Sequence, residues 1–111
     1  MYLLSGTLRP YAWGSLTAMA ELFGRDPSGE PEAELWFGAH PGAPSAVLGT
    51  EPVTLDELIA RDPEQLLGRE TVAVHGPALP FLAKVLAAGS PLSLQVHPTR
   101  EQARAGFAAE E

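Results

Sequence analysis

Ser93, Gln95 and His97 occupy alternate positions in the run Leu92-Ser93-Leu94-Gln95-Val96-His97-Pro98. Apolar and polar residues alternate there without a break, which predicts a half-buried β-strand. Leu92, Leu94 and Val96 then face a core. A hydroxyl, an amide and an imidazole share the opposite face, with no charge among them. Such a row could line a cleft, and Gln95 with His97 could hold a metal ion, since side chains two apart on a strand point the same way. The wet face of an ordinary sheet carries the same residue types. Two donors alone do not make a metal site.

A cation lies just upstream. Leu79-Pro80-Phe81-Leu82-Ala83-Lys84-Val85-Leu86-Ala87 is apolar apart from Lys84 and predicts a strand buried on both faces. Ala88-Gly89-Ser90-Pro91 carries turn chemistry, so the two strands are expected to form a hairpin. An ammonium in such a strand must snorkel to water, meet an anion or lose its proton. It could simply guard a sheet edge against aggregation. Facing the same cleft as Ser93, Gln95 and His97, it would suit an anionic or oxygen-rich ligand. A further chemical stretch is Glu34-Leu35-Trp36-Phe37-Gly38-Ala39-His40. If extended, Glu34, Trp36, Gly38 and His40 share one face, and a carboxylate with an imidazole could serve a metal or a proton transfer. A surface strand with an aromatic cover has the same composition.

Three motifs in order carry a family resemblance. Tyr11-Ala12-Trp13-Gly14, Ala33-Glu34-Leu35-Trp36-Phe37-Gly38-Ala39-His40-Pro41, and the pair Leu79 to Leu86 with Pro91 to Pro98 resemble type I mannose-6-phosphate isomerases (phosphomannose isomerases). The resemblance runs over nearly all of the chain and over an N-terminal portion of the family's length. It implies a cupin-type β-sandwich and a zinc-dependent interconversion of mannose 6-phosphate and fructose 6-phosphate. It implies that Gln95 and His97 are zinc ligands, with one zinc per site, and that Lys84 and Ser93 line the sugar-phosphate pocket. Glu34 is implied as a polar neighbour of the site, not a ligand, and Trp13 as lying near it. His40 is not among the implied residues. Thr99-Arg100 departs mildly from the family's Asn-Lys but keeps a cap and a positive charge. The family's remaining zinc ligands and its catalytic arginine come from later segments. Residues 1–111 are therefore expected to be an incomplete N-terminal part of a catalytic cupin-like domain, inactive in isolation. The rival expectation is a non-catalytic cupin-like module that binds sugars or partners.

The elements that must position these residues are short. Residues 2 to 13 read as a strand and an extended arm, followed by a helix over about 16–23 that Ser15 can cap and Gly24 can stop. Met19, Leu22 and Phe23 give that helix an apolar side. Ala46-Val47-Leu48 is the apolar centre of a turn-rich region. Thr54 with Glu57 forms a capping box, and Asp62-Pro63 starts a second helix ended by Gly68. Arg69 to Pro77 reads as a connection, with His75 in an exposed loop. Thr99 with Gln102 is a second capping box, before a helix to about Ala109. Roughly five strand-like runs and four or five helices give an α+β class, mainly β with short helices once the resemblance is added.

Bulk composition narrows the partners. The chain has 111 residues, of which 45% are apolar and 19% charged, enough for one small domain. A net charge of −7 argues against nucleic acid and against an anionic membrane surface, while a local cluster can still oppose it for a small sugar phosphate. No cysteine is present, which removes disulfides and thiolate ligands and fits the cytoplasm. The first residues lack the pattern of a secretory signal, and no apolar run spans a bilayer.

Overall fold

The computed structural model describes residues 1–110. Its elements are β1 (Leu3–Leu4), β2 (Thr7–Arg9), α1 (Ala18–Phe23), β3 (Glu34–Phe37), β4 (Val47–Leu48), α2 (Leu55–Arg61), α3 (Pro63–Leu67), α4 (Arg69–His75), β5 (Ala83–Leu86) and α5 (Arg100–Glu110). This is an α+β arrangement. β1 pairs with β4, and a three-stranded antiparallel sheet runs β2-β3-β5.

Local chemistry sets the helix ends. The Ser15 hydroxyl accepts from the backbone N–H of Thr17 and Ala18 at 3.3 and 3.1 Å, and Gly24 closes α1 in the left-handed region at φ 65°. Thr54 and Glu57 satisfy each other's backbone N–H groups at the start of α2, and Asp62 accepts from Gln65 N–H at the start of α3. Thr99 and Gln102 do the same for α5. The core is small: Met19, Ala20, Ala33, Trp36, Ala43, Val47, Val53, Leu55 and Ile59.

Three backbone segments are stapled together beside the sheet. Ser15 N–H donates to Ala87 O at 2.8 Å, Gly89 N–H to Trp13 O at 2.8 Å, and Ala87 N–H to Ala33 O at 2.8 Å. Glu32 N–H donates to Ser15 O at 3.0 Å. Gly14 sits where these segments meet. A Cβ there would lie 2.5 Å from Ala33 N and 2.6 Å from Ala33 Cα, so only glycine allows the approach.

Several expectations are corrected. Residues 91–99 form no strand and no hairpin with the segment before them, and Leu94 and Val96 are 94% and 84% exposed. Alternation defines two faces, but a strand also needs a partner edge. β5 takes β3 as its partner, and the chain after it is held by the Trp13–Ser15 arm instead of turning back. The expected doubly buried strand over Leu79–Ala87 is limited to Ala83–Leu86 and is largely exposed, because nothing covers its outer side among the described residues. Met19 is buried as expected, but Leu22 and Phe23 are exposed, and Ala20 joins Met19 on the buried side of α1. The expected connection after Gly68 contains α4, with His75 exposed in its last turn. The molecule is flat, 46 × 43 × 20 Å, with a radius of gyration of 17.0 Å, against about 13 Å for a compact chain of this length.

Two stability outcomes follow. Gly14→Ala is expected to lower stability by about 1–3 kcal/mol through overpacking against backbone, while Gly106→Ala in α5, where an added Cβ meets nothing, is expected to be neutral or stabilising; urea midpoints measure both. Arg25 donates to both carboxylate oxygens of buried Glu32 at 2.9 Å. That hydrogen bonding holds the Glu32 carboxyl below its ordinary value of 4.5, against the opposing effect of burial. The stabilisation is therefore present above the ordinary value and disappears as pH falls through the depressed one. Glu32→Gln should flatten the acid limb of the stability profile below pH 4.5.

Candidate active site

β3 is the centre of the sheet, and its register builds the site. Arg9, Glu34 and Leu86 align across the three strands, as do Thr7, Trp36 and Lys84. Residues paired in this way share a face. One face therefore carries Arg9, Glu34, Trp36 and Lys84, with Glu34 and Trp36 each 9% exposed. The polar side of β3 is the inner one, contrary to a surface strand with an aromatic cover.

A buried carboxylate is costly unless it is paired and hydrogen-bonded. Trp36 Nε1–H donates to Glu34 Oε2 at 2.6 Å, and Lys84 Nζ lies 4.0 Å from the same oxygen. Lys84 Nζ is also 4.6 Å from the centroid of the Trp36 ring, and Arg9 Cζ is 4.8 Å from it. Both cations use the negative face of the indole. Lys84, on the edge strand, thus meets an anion and an aromatic ring and keeps its place in an otherwise apolar run. Arg9 Nε donates to the Tyr11 hydroxyl at 3.2 Å, and Tyr11 stacks on Trp13 with centroids 5.9 Å apart.

Beside this cluster lies a cleft of about 220 Å³. Glu34, Ser93 and Gln95 supply its polar wall, and Trp13, Leu86, Pro91 and Leu92 its apolar one. Trp13, Glu34, Ser93 and Gln95 therefore meet at one place despite the missing strand, and Lys84 adjoins them through Glu34. His97 is exposed on the irregular segment that follows β5 and does not line the cleft. Among the described residues no group of three or more His, Asp or Glu side chains is assembled to hold a metal ion. A second hollow of about 300 Å³, lined by His40, Asp56, Ile59 and mostly apolar neighbours, holds none of the candidate residues.

Sequence reasoning overlooked two participants. Trp36 shares the strand face of Glu34, and its indole N–H was the available signal. Arg9 had no signal, because its place opposite Glu34 exists only once β2 and β3 pair. His40 packs its ring edge against Trp36 at 5.2 Å and accepts from Gly42 N–H at 2.9 Å, a local role.

The fold and site can be set beside known proteins. The model of the phosphomannose isomerase type I catalytic domain matches residues 1–111, and the chain belongs to that family. The mannose-6-phosphate isomerase of Escherichia coli K12 is 48% identical over 113 residues, covering 99% of this chain and 29% of the relative. The human mannose-6-phosphate isomerase is 36% identical over 111 residues, covering 90% of this chain and 26% of its own. Among solved structures, the Salmonella typhimurium enzyme bound to fructose 6-phosphate and zinc superposes with a TM-score of 0.88 at 43% identity, covering 99% of this chain and 28% of that one. A mannose 6-phosphate isomerase bound with zinc and yttrium superposes with a TM-score of 0.87 at 44% identity, again over 99% and 28%. The chain spans about 29% of the length of the bacterial relatives it matches. No helix among the described residues is long and apolar enough to cross a membrane.

The cluster is expected to contribute to stability on its own. Lys84→Met keeps the aliphatic stem and removes the charge from both Glu34 and the indole. It should cost about 0.5–1 kcal/mol, read from chemical denaturation, with Lys84→Arg close to the parent. A Lys84→Met chain as stable as the parent would show that the ion pair and the ring contact carry nothing.

Proposed function

We propose that residues 1–111 form the N-terminal portion of the catalytic cupin-type domain of a zinc-dependent isomerase interconverting mannose 6-phosphate and fructose 6-phosphate. The observation that carries this reading is the convergence of Trp13, Glu34, Ser93 and Gln95 on one cleft, with Lys84 beside it, in a chain similar over 99% of its length to an enzyme whose structure holds fructose 6-phosphate and zinc. The absence of cysteine, and of a spanning helix among the described residues, fits a cytoplasmic sugar-phosphate enzyme. The net charge of −7 fits one without nucleic-acid or membrane partners.

The donor set is a partial fit to zinc. Gln95 and His97 would hold the ion through an amide oxygen and an imidazole nitrogen, both open to solvent. These are types zinc accepts, but fewer than the three protein ligands of a catalytic site; the family resemblance assigns the rest to later segments. Zinc bound there would supply Lewis-acid polarisation of the sugar oxygens on which charge grows. The remaining work falls to this chain's own residues. The Lys84 ammonium adds positive charge beside the cleft for a sugar phosphate. The Ser93 hydroxyl can donate to a sugar or phosphate oxygen, and Glu34 can accept from a sugar hydroxyl. Trp13 supplies an apolar wall for a sugar face.

Zinc content and turnover of mannose 6-phosphate, measured side by side, test the proposal. In the full-length protein His97→Ala should lose most of its zinc and its turnover. Lys84→Ala should keep zinc and turn over the sugar phosphate poorly, because it removes charge from the pocket and not from the metal. The stretch 1–111 alone should bind zinc weakly and show no turnover. Full zinc in His97→Ala would exclude the 91–99 segment as the metal segment. A full-length protein that binds the sugar phosphate without converting it would favour the non-catalytic module.

A further inference from the structure

We infer that Trp36 is a positioning residue for Glu34: its indole N–H takes one carboxylate oxygen and leaves the other to receive a ligand hydroxyl in the cleft. The inference rests on the isomerase reading and assigns a role that the reading leaves open, namely how a buried carboxylate is kept aimed at the cleft.

The geometry separates the two oxygens of Glu34. Oε2 accepts from Trp36 Nε1 at 2.6 Å and faces Lys84 Nζ at 4.0 Å. Oε1 has no partner among the described residues, although Glu34 as a whole is only 9% exposed. No buried side-chain oxygen or nitrogen among the described residues lacks a partner, so Oε1 retains contact with solvent. Glu34 lines the cleft, the open space that Oε1 is inferred to meet. Glu32, two residues away, provides the contrast. Arg25 takes both of its oxygens at 2.9 Å, so neither oxygen is left without a partner.

Trp36 is itself held in place. Its ring is packed against Arg9, Lys84 and His40, with centroid distances of 4.8, 4.6 and 5.2 Å. Directly across the strands it faces Thr7 and Lys84. These contacts restrict the indole N–H and, through it, the oxygen it binds. A hydrogen bond to an ionised acceptor at this length is a strong one. It fixes the carboxylate plane and thus the direction in which Oε1 accepts.

Trp36→Phe in the full-length protein keeps an aromatic face for both cations and removes the donor together with part of the buried ring, so the indole N–H resonance separates the lost hydrogen bond from the lost packing. With zinc content unchanged, kcat/KM for mannose 6-phosphate should fall roughly tenfold to a hundredfold, with the loss mainly in kcat. Turnover per folded, zinc-loaded molecule within about twofold of the parent would overturn the inference and leave Trp36 a packing residue. A readout independent of activity accompanies this one. The indole N–H proton resonance of Trp36, assigned as the signal that Trp36→Phe removes, should lie downfield and move upfield in Glu34→Gln, which replaces a carboxylate acceptor by a neutral amide. A resonance indifferent to Glu34→Gln would overturn the inference whatever the kinetics. A parent protein with no turnover would instead defeat the isomerase reading, and the resonance would still decide between Trp36 as a holder of Glu34 and Trp36 as packing alone.

Discussion

Close backbone approach at Gly14 is the constraint from which the rest of the arrangement follows. Three chain segments far apart in sequence, around Trp13–Ser15, Glu32–Ala33 and Ala87–Gly89, exchange backbone hydrogen bonds of 2.8 to 3.0 Å. They can do so only because no Cβ stands between Gly14 and Ala33. The approach brings Trp13 to the cleft wall next to Glu34, and it carries the chain after β5 toward the arm, so that Ser93 and Gln95 reach the same cleft. Backbone groups satisfied in this way also let a loop crossing be buried without orphaned donors.

Electrostatics at the site oppose the character of the whole chain. The net charge is −7, yet the polar face of the β2-β3-β5 sheet sets two cations, Arg9 and Lys84, around one carboxylate and one indole. Local partners, not global charge, decide what a buried group can do. Glu32 and Glu34 illustrate this. They are equally acidic in composition and lie two residues apart, but the first is consumed by a bidentate arginine and the second keeps an oxygen open. A bidentate pair is a structural clamp, whereas a carboxylate with a spare acceptor is available for chemistry.

The flatness of the molecule has the same origin as the exposed segment at 91–99. The small core lies under Met19, Trp36, Val47 and Ile59, while Leu94, Val96, Phe81 and Phe107 remain in contact with solvent. An apolar alternation of this kind is stable as a strand only where both a partner edge and a covering layer exist. Neither is present for it among the described residues, so the chain there forms no strand. Relatives more than three times as long share this stretch.

Helix caps were legible from the sequence alone, because they depend on neighbours within a few positions. Ser15, Gly24, Thr54, Asp62 and Thr99 act where their spacing put them, and Glu34, Lys84, Ser93 and Gln95 stood out by type and alternation. What required the tertiary structure was every relation between distant segments. Strand pairing decided that Glu34 faces inward with Trp36, that Arg9 lies opposite it and that Lys84 finds its anion. The same pairing withheld a partner from Leu92 to Pro98, the run whose alternation was strongest. Periodicity states which side chains share a face, but only backbone hydrogen bonding to another segment determines whether that face exists and what it meets.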